Sequence, residues 1–248
     1  MQARQAGGSP GVITIVYDNN RPEDAALRAD WGFACVVDYA GRRVLFDTGA
    51  DGDILLRNMK HLGIDPSVID AVVISHSHWD HTGGLKKFLA ARKGVPVHLL
   101  ASFPPELKDS VSAGGGVLRE ASAPAAVAER FETTGEMGVA IREQALVVKT
   151  PAGLVVVTGC AHPGIAKIVE QASQHGGGGI ALVVGGFHLK DATGEEIEEV
   201  VRAFRRLGVK KVAPCHCTGE GARGAFAREY GEDFIPARLG TVIRFIGS

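Results

Sequence analysis

The segment Ile74-Ser75-His76-Ser77-His78-Trp79-Asp80-His81-Thr82-Gly83-Gly84 packs three histidines and one aspartate into six residues, directly after the apolar run Ala71–Ile74. A lone histidine near a core is usually a hydrogen-bonded polar side chain. Four ligand-type residues at this spacing are hard to accommodate that way. Imidazole and carboxylate are the donors that suit zinc, manganese or iron. If the strand runs on in extended form, His76 and His78 share one face. A turn at Trp79 then swings Asp80 and His81 toward a second point. One pair can hold one divalent ion and the other pair a second ion nearby.

The scaffold for such a cluster is bounded by composition. The chain has 248 residues, 45% of them hydrophobic, and a net charge of −1. That is too apolar and too balanced for disorder, and long enough to bury a sizeable core. The near-zero charge argues against a nucleic-acid partner. No apolar run reaches the roughly 18 residues of a membrane span, so no membrane partner is expected. Met1–Gly11 holds no hydrophobic stretch of the secretory kind, and four cysteines do not make a disulfide scaffold. These features imply a soluble, cytoplasmic chain: a disordered tail over residues 1–11 and a single domain over 12–248. Nothing in them sets the oligomeric state. The 33 glycines show no three-residue period, which excludes collagen and leaves their excess to be explained.

Apolar runs and turn signals predict strands at Val12–Tyr17, Phe33–Tyr39, Arg43–Phe46, Ala71–Ile74 and Val95–Leu99, with a tight turn at Ala40-Gly41. Helical spacing covers Asp53–Leu62 and Gly84–Ala91. Residues 101–129, with Pro104-Pro105 and Gly114-Gly115-Gly116, read as a long functional or mobile loop, the glycines marking a flap. Ala145–Thr150 and Leu154–Thr158 flank a hairpin signal. The last third alternates: helix Pro163–Gln174, a stop at Gly176–Gly179, strand Ile180–Val184, helix Thr193–Leu207, strand Val209–Ala213, helix Thr218–Tyr230 and strand Thr241–Ile246. Strands first and strand–helix alternation later is a pattern that two helix-flanked sheets satisfy. In Thr193–Leu207, Glu195, Glu196, Glu198 and Glu199 precede Arg202, Arg205 and Arg206, an order that complements the helix dipole.

His76-x-His78-x-Asp80-His81 resembles the His-x-His-x-Asp-His signature of the metallo-β-lactamase-fold superfamily. Phe46-Asp47-Thr48-Gly49 is similar to that superfamily's first motif, Leu154–Gly159 to its later Gly-Asp strand, and His216 stands where its last histidine ligand is expected. The resemblance implies an α/β fold, a four-layer αββα sandwich with metals at one sheet edge. A finer pattern resembles one branch, which contains the dihydropterin-methyl-ribofuranosylaminobenzene-phosphate synthases of methanopterin biosynthesis. Its matching pieces are Tyr17-Asp18-Asn19-Asn20, Asp30-Trp31-Gly32-Phe33, Thr158-Gly159-Cys160-Ala161-His162, Gly185-Gly186-Phe187-His188-Leu189 and Cys215-His216-Cys217-Thr218-Gly219. Fold and branch do not by themselves fix the substrate.

Two departures from the wider superfamily matter. No histidine lies between His98 and His162, so the usual isolated histidine ligand has no counterpart, and Cys160 stands where the bridging aspartate is expected. His162 is the natural replacement, because Cys160 and His162 point the same way in an extended segment. The resulting expectation is two divalent ions, zinc first, with manganese or iron as alternatives. His76, His78 and His162 would hold one, and Asp80, His81 and His216 the other. Cys160 either bridges as a thiolate or lines the site as a small apolar side chain.

Asp47 is expected to orient a ligand imidazole. His188, after a strand end, is expected to be catalytic or to touch substrate, and Asn19 to bind substrate. Cys215 and Cys217 should point away from His216 and pack behind the sheet. His61, His98 and His175 read as structural or surface residues. Gly7-Gly8-Ser9-Pro10-Gly11 matches a nucleophile-elbow pattern in letters only, since it precedes a strand instead of following one.

The function so implied is a metal-dependent hydrolase or transferase acting through an activated water, with Asp80 and His188 in catalytic roles. The resemblance extends this to a small phosphorylated or pterin-related substrate. Nucleic-acid processing or non-catalytic metal binding on the same fold are the alternatives. Iron-redox relatives of the superfamily carry Glu at the His78 position, which weakens a redox reading. Gly49, Gly83, Gly84, Gly159, Gly164, Gly185, Gly186 and Gly219 all fall on the motif segments, so part of the glycine excess belongs to these turns.

Overall fold

The computed structural model describes residues 10–245. The first half comprises β1 (Gly11–Asp18), β2 (Phe33–Tyr39), β3 (Arg42–Phe46), α1 (Gly52–His61), β4 (Ala71–Val73), α2 (Trp79–Thr82), α3 (Leu85–Ala91), β5 (Pro96–Leu100), α4 (Pro105–Gly114) and β6 (Val117–Ala121). The second comprises β7 (Ala126–Ala128), β8 (Phe131–Thr133), β9 (Leu146–Thr150), β10 (Gly153–Thr158), α5 (Ile165–Gly176), β11 (Ile180–Gly186), α6 (Gly194–Arg206), β12 (Lys211–Cys215), α7 (Glu220–Tyr230) and β13 (Val242–Phe245).

One sheet runs β13-β1-β2-β3-β4-β5-β6 and the other β12-β11-β10-β9-β8-β7. In the first, pairing is antiparallel from β13 through β3 and parallel from β3 through β6. The strands alternate between two buried faces. In β10, Val155 and Val157 face the other sheet, while Leu154 and Val156 face α5, α6 and α7. On the first sheet, Leu45, Val72 and Val97 face outward under α1, α3 and α4. The layers are therefore helices, sheet, sheet, helices: the αββα sandwich. No helix among the described residues is long and apolar enough to cross a membrane.

Local chemistry explains the punctuation. Ala40 and Gly41 both have positive φ, the pair a two-residue hairpin with the strand twist requires. Thr193 and Glu196 form a reciprocal capping box that opens α6. The segment 101–129 departs from expectation. It holds α4, β6 and β7, and Gly115 (φ 84°) is the left-handed cap that ends α4, with no flap there. β8 also went unpredicted. At the N-terminus, Gly11 is already in β1, paired with Phe245. The rest of the expected tail, residues 1–9, lies outside the described residues, as does Ile246 of the last expected strand.

One irregularity positions the site. The register of β1 against β2 slips between Ile15 and Tyr17. Ile13 and Ile15 lie in the inter-sheet core, whereas Val16 and Tyr17 lie on the helix side. The bulge resets the alternation, so Asp18 returns to the inner face opposite Phe33.

Candidate metal centre

Loops leaving β1, β3, β4, β10, β11 and β12 meet at one edge of the sandwich. From the first sheet, β4 stops at Val73 and the chain enters the single turn α2. His78 caps that turn: its carbonyl accepts from the Thr82 N–H at 3.1 Å and the Thr82 hydroxyl at 3.0 Å. Asp80 and His81 on this turn face the same centre as His76.

Hydrogen bonds leave one ring nitrogen of three histidines free. His81 Nδ1 lies 2.7 Å from Asp47 Oδ2 and donates to it, so Nε2 carries the lone pair. The Ser75 hydroxyl donates to the same carboxylate oxygen at 2.8 Å, so it accepts from His76 Nδ1 at 2.9 Å. Asp47 thus orients His81 directly and His76 through Ser75. His216 Nδ1 donates to Asn19 Oδ1 at 2.8 Å, and Asn19 Nδ2 donates back to the His216 carbonyl at 3.3 Å. The His216 N–H donates to Asp18 at 3.1 Å. Asn19, expected at a substrate, instead has its side chain committed to His216, because the β1 bulge brings residues 18 and 19 under that loop.

The free donor atoms converge. His76 Nε2 is 3.1 Å from His78 Nδ1 and 3.3 Å from His162 Nε2. Cys160 Sγ is 3.3 Å from His81 Nε2 and 3.4 Å from His216 Nε2. Asp80 Oδ2 is 3.5 Å and 3.4 Å from the same two nitrogens. Donor atoms of Asp80, His81, Cys160 and His216 all lie within 4.8 Å of one another, as do those of His76, Cys160 and His162. A tetrahedral ion bonded to nitrogen at about 2.0–2.1 Å spaces its donors about 3.3 Å apart. The observed spacings match that edge length; six of the seven sequence-predicted ligand residues fall in these two groups, and His78 reaches them only through its 3.1 Å approach to His76. Cys160 belongs to both groups.

Electrostatics favour neutral imidazoles at His76 and His162 and an ionised carboxylate at Asp80, whereas at His81 burial is outweighed by the carboxylates of Asp47 and Asp80, which raise the ring's pKa. Burial, reinforced by His81, His162 and His78, holds His76 far below the ordinary imidazole range. Burial, then His188 and His78, push His162 down to about 4. Burial works against the charge on Asp80, but the hydrogen bond from His216 and the nearby His81 outweigh it and bring the carboxyl to about 2.

Cys160 and His162 reach the centre differently from expectation. Ala161 between them has φ 66°, so the segment turns and does not run extended. Glu143, fully buried, accounts for that turn. Its Oε1 accepts from the N–H groups of Cys160 (3.0 Å) and Ala161 (2.8 Å), and its Oε2 from that of His162 (2.8 Å). Burial pushes this carboxyl up to about 7 against the pull of those donors. No ligand-like spacing marked Glu143 in the sequence. Cys217 corrects another expectation. Cys215 lies in the inter-sheet core, but His216 (φ 49°) breaks the alternation. Cys217 therefore joins Cys160 and His188, their donor atoms all within 4.8 Å of one another. His188 is exposed, its ring 4.3 Å from that of His162. His61, His98 and His175 stand apart from the centre. A cleft of about 1130 Å³ opens over the site, with Trp31, Trp79, His188 and Lys190 in its walls.

Residues 32–216 match the family described as the metallo-beta-lactamase superfamily. The chain belongs to the metallo-β-lactamase superfamily. Its members usually bind divalent metals, and the cluster above fits that habit. A 7,8-dihydropterin-6-methyl-4-(β-D-ribofuranosyl)-aminobenzene-5′-phosphate synthase of Methanocaldococcus jannaschii is 32% identical over 249 residues, 82% of this chain and 85% of that protein. A solved metal-dependent hydrolase of the β-lactamase superfamily, Tm1679, is 30% identical with a TM-score of 0.78, covering 94% of this chain and 98% of that one. Human tRNase Z, short form, has a TM-score of 0.63 over 94% and 98% of the two chains at 15% identity, a likeness of fold alone.

Proposed function

We propose that this superfamily member is a dinuclear metalloenzyme acting on a small phosphorylated, pterin-related molecule by hydrolysis or group transfer. The observation that supports it is the convergence of six donor residues in two groups that share Cys160, with His78 Nδ1 3.1 Å from His76 Nε2. His76, His78 and His162 would hold one ion, and Asp80, His81 and His216 the other, with Cys160 as bridge. The soft thiolate beside imidazoles favours zinc, with manganese and iron as alternatives. Such ions acidify water to near neutrality and polarise a substrate oxygen. The chain's own contribution is to fix the donors through Asp47, Asn19 and Glu143. His188, exposed in the cleft and outside both ligand sets, would move a proton at the leaving group.

The substrate class rests on the 32% identity to the methanococcal synthase. Four free cysteines suit a reducing, cytoplasmic setting, and a net charge of −1 supplies no overall attraction for nucleic acid. Metal analysis of the purified chain, followed by turnover assays on dihydropterin, ribosyl-phosphate and phosphodiester panels, tests the reading. Two ions per chain are expected, and His76→Ala and His216→Ala should each lose one and drop turnover to background. Full turnover by chelated protein would sink the proposal.

A further inference from the structure

The chain has two tryptophans, and both stand in the wall of the cleft over the metal centre. Indole rings are usually largely buried. Here Trp31 is 38% exposed and Trp79 is 64% exposed. Among the described residues, every other large hydrophobic side chain with comparable exposure is a valine. The unburied aromatic surface is thus gathered on one cleft.

The backbone holds the two rings at that mouth. Gly32, beside Trp31, has φ 137°, and a Cβ there would lie 2.4 Å from the Asp80 carbonyl oxygen. Segment 31–32 therefore presses directly on α2, whose first residue is Trp79. Trp31 also packs on the centre itself, its ring 5.2 Å from that of His216 and tilted by 54°. Lys190 Nζ stands 5.2 Å over the Trp31 ring. That ammonium makes only a loose 3.8 Å pair with the exposed Asp191, which leaves it available to an anion.

The geometry points to a stacking platform: Trp31 and Trp79 bind the face of a planar heteroaromatic ring, and Lys190 receives an anionic group attached to it. Flat rings gain from indole faces by offset or edge contacts that saturated rings of equal size cannot make. The ring is thereby held beside His216, with its substituent directed along the cleft. This inference assumes, as proposed above, that the cleft is the substrate site, and it adds the residues that select the substrate.

Because there are two tryptophans and both line the cleft, intrinsic fluorescence reports on this place alone. The experiment titrates metal-loaded protein with 6-methylpterin and, separately, with ribose 5-phosphate, following tryptophan quenching and confirming affinity by calorimetry. Saturable quenching by the pterin is expected. Trp79→Leu, which keeps an apolar side chain and alters an exposed position, should weaken pterin binding about tenfold. Trp79→Phe should restore most of that loss. Lys190→Ala should weaken ribose 5-phosphate and leave the pterin unchanged. Equal pterin affinity in the parent, Trp79→Leu and Trp31→Leu would overturn the platform. Pterin binding by metal-loaded protein that turns over none of the panel substrates would uphold the platform while removing the proposed activity. The converse result, metal loading and turnover with no dependence on either tryptophan, would remove the platform alone.

Discussion

Glu143 shows how a single carboxylate can govern ligands it never touches through a side chain. Three consecutive N–H groups point at it, and the central residue, Ala161, sits in a left-handed conformation that an L-residue adopts at a cost. Removing the acceptor leaves those donors unpaired and the turn unsupported. Glu143→Ala is expected to lower metal affinity by roughly 10- to 100-fold, the range seen when groups that orient ligands are lost. Glu143→Gln, which offers one acceptor oxygen in place of two, should recover only part. Competition with a chromophoric chelator measures the affinity, and the sulfur-to-metal band of cobalt-loaded protein reports whether Cys160 is still in place. Parent-like values in Glu143→Ala would mean that neighbouring packing fixes the turn. The candidate donors at 76–81 were legible in the sequence because imidazole and carboxylate spacing carries chemistry, and Cys160, His162 and His216 through the family resemblance. The residues that aim them were legible only in part. Asp47 was assigned its role from a motif, whereas Ser75 and Asp18, quoted within motif segments but given no role, and Glu143 act across 28, 198 and 17 to 19 residues of chain, and no local pattern encodes such distances.

Elements with regular period or strong punctuation were readable, and the exceptions have physical causes. The helix at 193–207 announces itself through charge order, and the structure adds the capping box at its start. α4, β6 and β7 did not, because their residues are small or exposed and the glycines that end α4 look like a flap. At the edge that bears the site, packing between strands overrides propensity altogether. Gly185 pairs with Thr158 across parallel strands β11 and β10, has φ 122°, and a Cβ would fall 2.0 Å from the Thr158 carbonyl oxygen. Gly185→Ala is expected to destabilise the fold by about 3 kcal/mol, combining backbone strain with steric overlap, and to loosen metal binding because Cys160 lies just beyond β10. Gly194→Ala is the contrast. Nothing lies within 4 Å of a Cβ at that helical position, so a gain of about 0.5 kcal/mol or more is expected. Urea unfolding of both variants checks the pair.

Across the whole molecule, stability should depend on pH through groups remote from the metals. Burial, then Arg119, holds His98 at about 4, well below an unfolded imidazole near 6.5. Between those values the unfolded chain binds the extra proton, so stability falls as pH drops from 6.5 toward 4. His98→Leu should flatten that slope relative to the parent in urea titrations at pH 7 and pH 5. Parallel slopes would contradict the assignment.

The bipartite origin of the donor set has a mechanical consequence. His76, His78, Asp80 and His81 leave one sheet, and Cys160, His162 and His216 leave the other. Ligation across them would tie together points 86 and 79 residues apart in the chain, much as a cross-link closes a loop. The inter-sheet core keeps the two leaves bound along the spine, so chelation should open only the fore-edge, like a book whose clasp is undone. Hydrogen exchange should quicken at 159–165 and 216–219 on chelation while β9 and β2 stay protected, and a shift spread evenly over both sheets would show that the clasp holds the binding as well.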